Sequence, residues 1–228
     1  VVVDVVSSAF DSAGQRCSAL RVLCVQDDVA DRVLTMLKGA MAEYSLGNPE
    51  RLNTDIGPVI DQEAREGLLA HIQQLKSEGR LIAEARLPEG LNGHFVAPVA
   101  FEIDGIHQLK KEHFGPVLHV ARYDAADLEK VVAAINGTGY GLTLGVHSRN
   151  EETAERIERL ARVGNLYVNR NQIGAVVGVQ PFGGCGLSGT GPKAGGPSYL
   201  LRFANERTTS TNTTAVGGNA SLLSLGDD

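Results

Sequence analysis

Leu20-Arg21-Val22-Leu23-Cys24-Val25 runs straight into Gln26-Asp27-Asp28, and then into a segment whose Val29, Val33, Met36, Leu37, Ala40, Met41 and Tyr44 recur at helical spacing. The opening run is short and mostly apolar, as a buried strand is. Asp27 or Asp28 then offers a side-chain oxygen to the first amides of a helix reaching Tyr44. A strand feeding a helix is the repeating unit of a parallel sheet with crossover helices, so this stretch places the chain in the α/β class.

The alternation extends in both directions. Upstream, Val2, Val5, Val6, Ala9 and Ala13 keep three-to-four spacing, which predicts a helix over residues 1–13 despite its run of β-branched Val. A helix beginning at Val1 without a cap leads us to expect further chain before it. Downstream, Gly47-Asn48-Pro49 breaks the second helix and Asp61 caps a third, to about Ser77. Strands are predicted over 81–85, 95–101, 117–123, 142–146 and 166–169, and helices over 127–136 and 151–162. The expected architecture is a mainly parallel twisted sheet flanked by helices, its strand count suiting a doubly wound domain. The Thr-rich run 208–214 reads as a solvated strand that pairs outside the domain, with a tail as the alternative.

With 228 residues, 43% of them hydrophobic and 21% charged, the chain has the composition of one globular domain. A net charge of -6 disfavours nucleic acid or an anionic membrane as a partner. No apolar run approaches the roughly 20 residues of a membrane span. Cys17, Cys24 and Cys185 form no CxxC pair and no even set, so a reducing compartment, the cytoplasm, is expected. The six histidines show no paired metal-ligand spacing, and each reads as a surface or turn residue.

Three segments can carry chemistry. Cys17 lies in Gly14-Gln15-Arg16-Cys17-Ser18, a polar setting unlike the apolar one around Cys24, with Arg16 as a source of positive field for a thiolate. Glu112-His113-Phe114-Gly115-Pro116-Val117 puts a carboxylate and an aromatic at a turn into a strand, where a carboxylate can accept both hydroxyls of a ribose. Residues 174–197 are Gly-rich and contain Pro181-Phe182-Gly183-Gly184 and Lys193-Ala194-Gly195-Gly196-Pro197; their amides can converge on an anion. Each segment has a bland reading too, as an accessible thiol, a surface Glu and a surface loop.

In this order and at these separations, GQRC, EHFGPV and GNLYVN leading to PFGG resemble the aldehyde dehydrogenase superfamily over residues 1–203. The resemblance implies a catalytic domain over 1–203, an oligomerisation strand and tail over 204–228, a separate NAD-binding domain upstream, and a homo-oligomer. Cys17 followed by Ser18, with the loop SGTGPKAGGPSYLLRF, is similar to the branch that oxidises L-glutamate γ-semialdehyde, the open form of Δ1-pyrroline-5-carboxylate. The ending NTTAVGGNASLL is similar to bifunctional proline utilisation proteins, in which FAD serves a proline dehydrogenase domain lying outside this chain.

The resemblance also implies roles. Cys17 is the nucleophile, Glu112 and Phe114 meet the nicotinamide ribose and ring of NAD, and Arg16, Ser18, Phe182, Gly195, Gly196 and Phe203 line the substrate site. Ser18 and the Gly195 and Gly196 amides would anchor the substrate α-carboxylate. The general-base Glu and an oxyanion Asn would lie upstream of Val1, so the 228 residues alone are expected to be inactive. Another aldehyde dehydrogenase, the reductase that makes the same semialdehyde from an acyl phosphate, a non-catalytic binding module of the same fold and a cysteine hydrolase are the competing readings.

Overall fold

In the computed structural model, residues 1–189 and 191–216 are described. Helix α1 spans Val2–Phe10, β1 Val22–Gln26, α2 Asp27–Ala42, α3 Gln62–Glu78, β2 Leu81–Glu84, β3 Val99–Ile103, β4 Val117–Tyr123 and α4 Leu128–Gly137. The remainder comprises β5 Tyr140–Gly141, β6 Thr143–Val146, α5 Glu151–Leu160, β7 Asn165–Val168 and β8 Cys185–Gly186.

Four strands form one sheet in the order β1-β4-β3-β2. β4 lies parallel to both β1 and β3, and β2 closes the edge antiparallel to β3. The first five residues of β4 are buried, as they must be when a central parallel strand is covered on both faces. The core beside it gathers Val5 and Phe10 of α1, Leu37 and Met41 of α2, and Leu68 and Ile72 of α3 around Phe101 and Leu118. Truncating a wholly buried aromatic such as Phe101 to Ala costs about 3–5 kcal/mol.

The remaining strands do not extend that sheet. β6 pairs in parallel with β7, β5 pairs antiparallel with β8, and Val132, Val146 and Ile157 form a second, smaller core. The mixed α/β class is as expected, but the strands divide into a principal sheet and two short pairs.

Several element boundaries differ from the expectation. α1 ends at Phe10, three residues before Ala13, because Ser12 and Ala13 adopt φ of 57° and 53°, outside the right-handed helical region. Asp27 and Asp28 fall inside the first turn of α2 instead of capping it; Gln26 precedes that turn without a side-chain cap. There the two carboxylates complement the helix dipole. Asp61 does cap α3, accepting the Ala64 N–H at 2.8 Å. β3 begins at Val99 and not at 95, since Pro98 has no N–H to give a ladder. Residues 204–212 are exposed and belong to no helix or strand of the single chain; the end of the NTTAVGGNASLL segment lies outside the described residues.

Candidate active site

Between α1 and β1 the chain reverses. Ser12, Ala13 and Gly14 all have positive φ, and a four-residue turn, closed by Ala19 N–H to Arg16 C=O at 3.1 Å, then presents Cys17. Gln15 pins the front of the turn: its Oε1 accepts the Ile60 N–H at 2.8 Å and its Nε2 donates to Pro58 C=O at 3.4 Å. Behind it, Ser18 C=O accepts from Gln172 Nε2 at 3.1 Å and from Thr143 Oγ1 at 3.4 Å. Cys17 is exposed while Ser18 is buried. The Cys17 N–H has no hydrogen-bond acceptor among the described residues, which leaves it free for a ligand.

The second segment stands against the first. Val22 of β1 is paired with His119 of β4, so Cys17 and Glu112 both precede the amino ends of adjacent parallel strands. Open α/β sheets ordinarily bind ligands beyond their carboxyl ends, so these segments lie at the other edge, at the turn into β4 where the sequence places Glu112 and Phe114.

Arg21 joins the two segments. Its Nε donates to Glu112 Oε1 at 2.9 Å, Nη1 to Gly14 C=O at 2.6 Å and Nη2 to Arg16 C=O at 3.1 Å; its guanidinium carbon lies 4.5 Å from the Phe114 ring centre. Reading the sequence missed this residue because Arg21 lies within an apolar run and looks like one more strand position. Arg16, by contrast, turns back to Ser12 Oγ at 2.9 Å and remains exposed.

The histidines correct the expectation that each is a surface or turn residue. His71 of α3 and His119 of β4 are buried, with Nε2 atoms 2.9 Å apart, and the His113 ring stacks on His71 with centroids at 3.5 Å. His119 Nδ1 lies 2.9 Å from Arg21 C=O, so this stack backs the same segment that carries Glu112. Burial, reinforced by the neighbouring histidines, lowers the His71 pKa to about 3. Burial likewise lowers His119 to about 4, against the opposing effect of its hydrogen bond to Arg21 C=O. Both rings are therefore neutral near pH 7. No cluster of three potential metal ligands occurs among the described residues.

The Gly-rich segment folds as a clamped loop. Phe182 and Ala194 exchange both backbone hydrogen bonds, at 3.0 and 2.9 Å. Asn165 donates to Pro181 C=O at 3.0 Å and accepts the Gly183 N–H at 3.3 Å, while Lys193 Nζ reaches Gly164 C=O and lies 3.4 Å from Asn165 Oδ1. The Gly196 N–H is already used, donating to Lys193 C=O at 3.0 Å, so of the two expected anion donors only Gly195 has no acceptor among the described residues. Phe203 meets Tyr199 edge-on at 5.5 Å and is 74% exposed. Among the described residues, the hydrogen bonds of 181–203 reach Gly139, Gly141 and Arg162 to Asn165, and none reaches Gly14 to Ser18. The structure thus brings Cys17, Glu112 and Phe114 together through Arg21 and holds Phe182, Gly195 and Gly196 on a separate loop.

A cleft of about 740 Å³ opens between α3 and residues 84–97, lined by Arg65, Leu69, Lys76, Glu84 and Phe95. It contains none of the candidate residues, and size alone is no guide to the chemistry here. Among the described residues no helix is long and apolar enough to cross a membrane.

Residues 1–209 match the model of the aldehyde dehydrogenase family. The chain is 61% identical over 213 residues to the bifunctional protein PutA of Klebsiella aerogenes, covering 91% of this chain and 16% of that protein. It is 41% identical over 208 residues to a 1-pyrroline-5-carboxylate dehydrogenase of Bacillus thuringiensis, covering 90% of this chain and 40% of that protein. A crystal structure of a Bradyrhizobium japonicum proline utilization A (PutA) mutant superposes with a TM-score of 0.87 at 59% identity, covering 94% of this chain and 22% of that one. The chain belongs to the aldehyde dehydrogenase family.

Proposed function

We propose that this chain is the Cys-bearing catalytic part of an NAD-dependent dehydrogenase that oxidises L-glutamate γ-semialdehyde to L-glutamate in proline catabolism. The observation that carries this reading is the exposed Cys17 with a free backbone N–H, held by Arg21 beside Glu112 and Phe114. The relatives' names, PutA and 1-pyrroline-5-carboxylate dehydrogenase, supply the substrate.

The residues fit a nicotinamide ribose. Glu112 is 45% exposed and only its Oε1 is taken by Arg21, which leaves Oε2 to accept a hydroxyl. Phe114 is exposed next to it, giving an apolar surface for the ring. When bound, the dinucleotide supplies the hydride acceptor. The Cys17 thiolate attacks the aldehyde carbon and the Cys17 N–H stabilises the resulting oxyanion. Loss of hydride leaves a thioester on Cys17, and water activated by a base outside these residues releases the acid. The Ser18 hydroxyl and the Gly195 amide would hold the substrate α-carboxylate, with Phe203 packing on the aliphatic chain and Phe182 lining the pocket. FAD would belong to a proline dehydrogenase domain elsewhere if the whole protein is bifunctional.

Three free cysteines fit a cytoplasmic location, and the exposed 204–212 segment fits pairing with a second copy in a homo-oligomer. The deciding experiment is steady-state kinetics of the full-length protein with the semialdehyde and a simple aliphatic aldehyde. Ser18→Ala should lower kcat/KM for the semialdehyde selectively. Equal loss with both aldehydes would point to a different substrate, and an unreactive Cys17 toward iodoacetamide would point to a binding module.

A further inference from the structure

We propose that Arg21 is a positioning residue that sets the Arg16-Cys17 peptide as an oxyanion donor and, with the Nε edge and the face of its guanidinium, sets the cofactor-facing Glu112 and Phe114. This rests on the dehydrogenase reading above and names the residue that makes its two half-sites one unit.

The geometry is that of a planar trans peptide. Its C=O and N–H point in opposite directions, so fixing Arg16 C=O fixes where the Cys17 N–H points. That carbonyl accepts twice, from Arg21 Nη2 at 3.1 Å and from Ala19 N–H at 3.1 Å. Donors on a carbonyl polarise the peptide and strengthen its N–H as a donor in turn. The N–H itself meets no acceptor among the described residues, which is the condition an oxyanion donor must satisfy in the resting protein.

Arginine is needed for this and lysine does not suffice. Nη1 on Gly14 C=O, Nη2 on Arg16 C=O and Nε on Glu112 Oε1 use three edges of one plane, and the Phe114 ring packs on its face. An ammonium has one nitrogen and no face. The Arg21 side chain is 16% exposed, so its charge is only partly screened. Burial lowers the Arg21 pKa, against the opposing pull of Glu112 and, more weakly, of Cys17, which places Cys17 within electrostatic reach. From the rear, Arg21 C=O is held by His119 Nδ1 at 2.9 Å, fixing the strand from which the guanidinium reaches forward.

The test compares the full-length wild type with Arg21→Lys and Arg21→Met. The readouts are the thermal midpoint, the rate of Cys17 alkylation by iodoacetamide, calorimetric NAD affinity, and kcat and KM for the semialdehyde. Alkylation forms no oxyanion. In Arg21→Lys it should therefore stay within about threefold of wild type, while kcat falls about a hundredfold at little-changed KM. NAD should bind about tenfold more weakly, as Glu112 loses its partner. A folded Arg21→Lys protein with near wild-type kcat overturns the proposal, as does a fall in kcat that merely tracks the fall in alkylation. If Arg21→Met does not fold, Arg21→Lys still decides. If the wild type fails to oxidise the semialdehyde, the dehydrogenase reading falls; unchanged NAD affinity in a folded Arg21→Lys protein would separately sink the role of Arg21 at Glu112.

Discussion

Gly14 and Gly115 cross with their backbones in contact: a Cβ on Gly14 would stand 2.2 Å from the Gly115 carbonyl oxygen. Gly14 also has φ of +66°, so alanine there meets both a clash with backbone and a strained conformation. A Cβ on Gly115 meets instead the side chain of Leu68 and no backbone, and Gly115 has no positive φ. Gly14→Ala is expected to destabilise the full-length protein by about 3 kcal/mol or more, and Gly115→Ala by less. Thermal denaturation of the two variants checks the order, and equal midpoints would show that the crossing is not rigid.

Gln172 is buried, and its side chain donates to the Ser18 carbonyl directly behind the nucleophile. Gln172→Leu keeps the volume and removes the donor. The expected cost is about 1–3 kcal/mol in urea unfolding, with a slower Cys17 alkylation as the turn loosens. A stable variant with unaltered alkylation would show that Thr143 alone suffices.

The histidine stack makes this region acid-labile. His71 and His119 titrate near 3 and 4 in the fold, below the 6.5 of a free imidazole. The unfolded chain therefore takes up protons first as pH falls. Stability should be full above about pH 6.5 and be lost progressively from there down toward pH 4 to 3. Thermal midpoints measured across that range, against a His71→Phe, His119→Leu double variant with a flatter profile, check this. A wild-type profile without slope between pH 6.5 and 4 would contradict it.

Lys193 and Asn165 latch the Gly-rich loop to the start of β7. Lys193→Met should free that loop. KM for the semialdehyde is expected to rise about tenfold, with kcat for a simple aldehyde within about twofold of wild type. Parallel losses for both aldehydes would mean that the latch supports the whole site and not the carboxylate end.

The chain spans 16% of the PutA relative and 40% of the 1-pyrroline-5-carboxylate dehydrogenase it matches. The 228 residues alone are expected to reduce no NAD with the semialdehyde. A purified chain of these residues that did so would show that base and cofactor contacts are complete within it.

What could be read from the sequence was local. β4 was delimited correctly because Gly115-Pro116 fixes its start and an unbroken apolar run follows. The α3 cap was legible because Asp61 has a free amide three residues on. α1 was overextended because helical periodicity continues through Ala13 while the backbone does not. The motifs single out Cys17, Glu112 and Phe114 as candidates, whereas nothing in the sequence singles out Arg21, His71 or His119. Each has at least one partner 48 to 98 residues away in sequence, which neither spacing nor composition encodes.

Ser18 C=O faces two partners, Gln172 and Thr143, that belong to the part of the chain built on β6 and β7, whereas Arg21 and Gly115 lead into β1 and β4 of the principal sheet. Cys17 is thus suspended across a seam, like a keystone between two abutments. Slippage of one side against the other would move the turn that carries the sulfur. Catalytic output should consequently fade on heating at temperatures where spectroscopy still reports an intact fold.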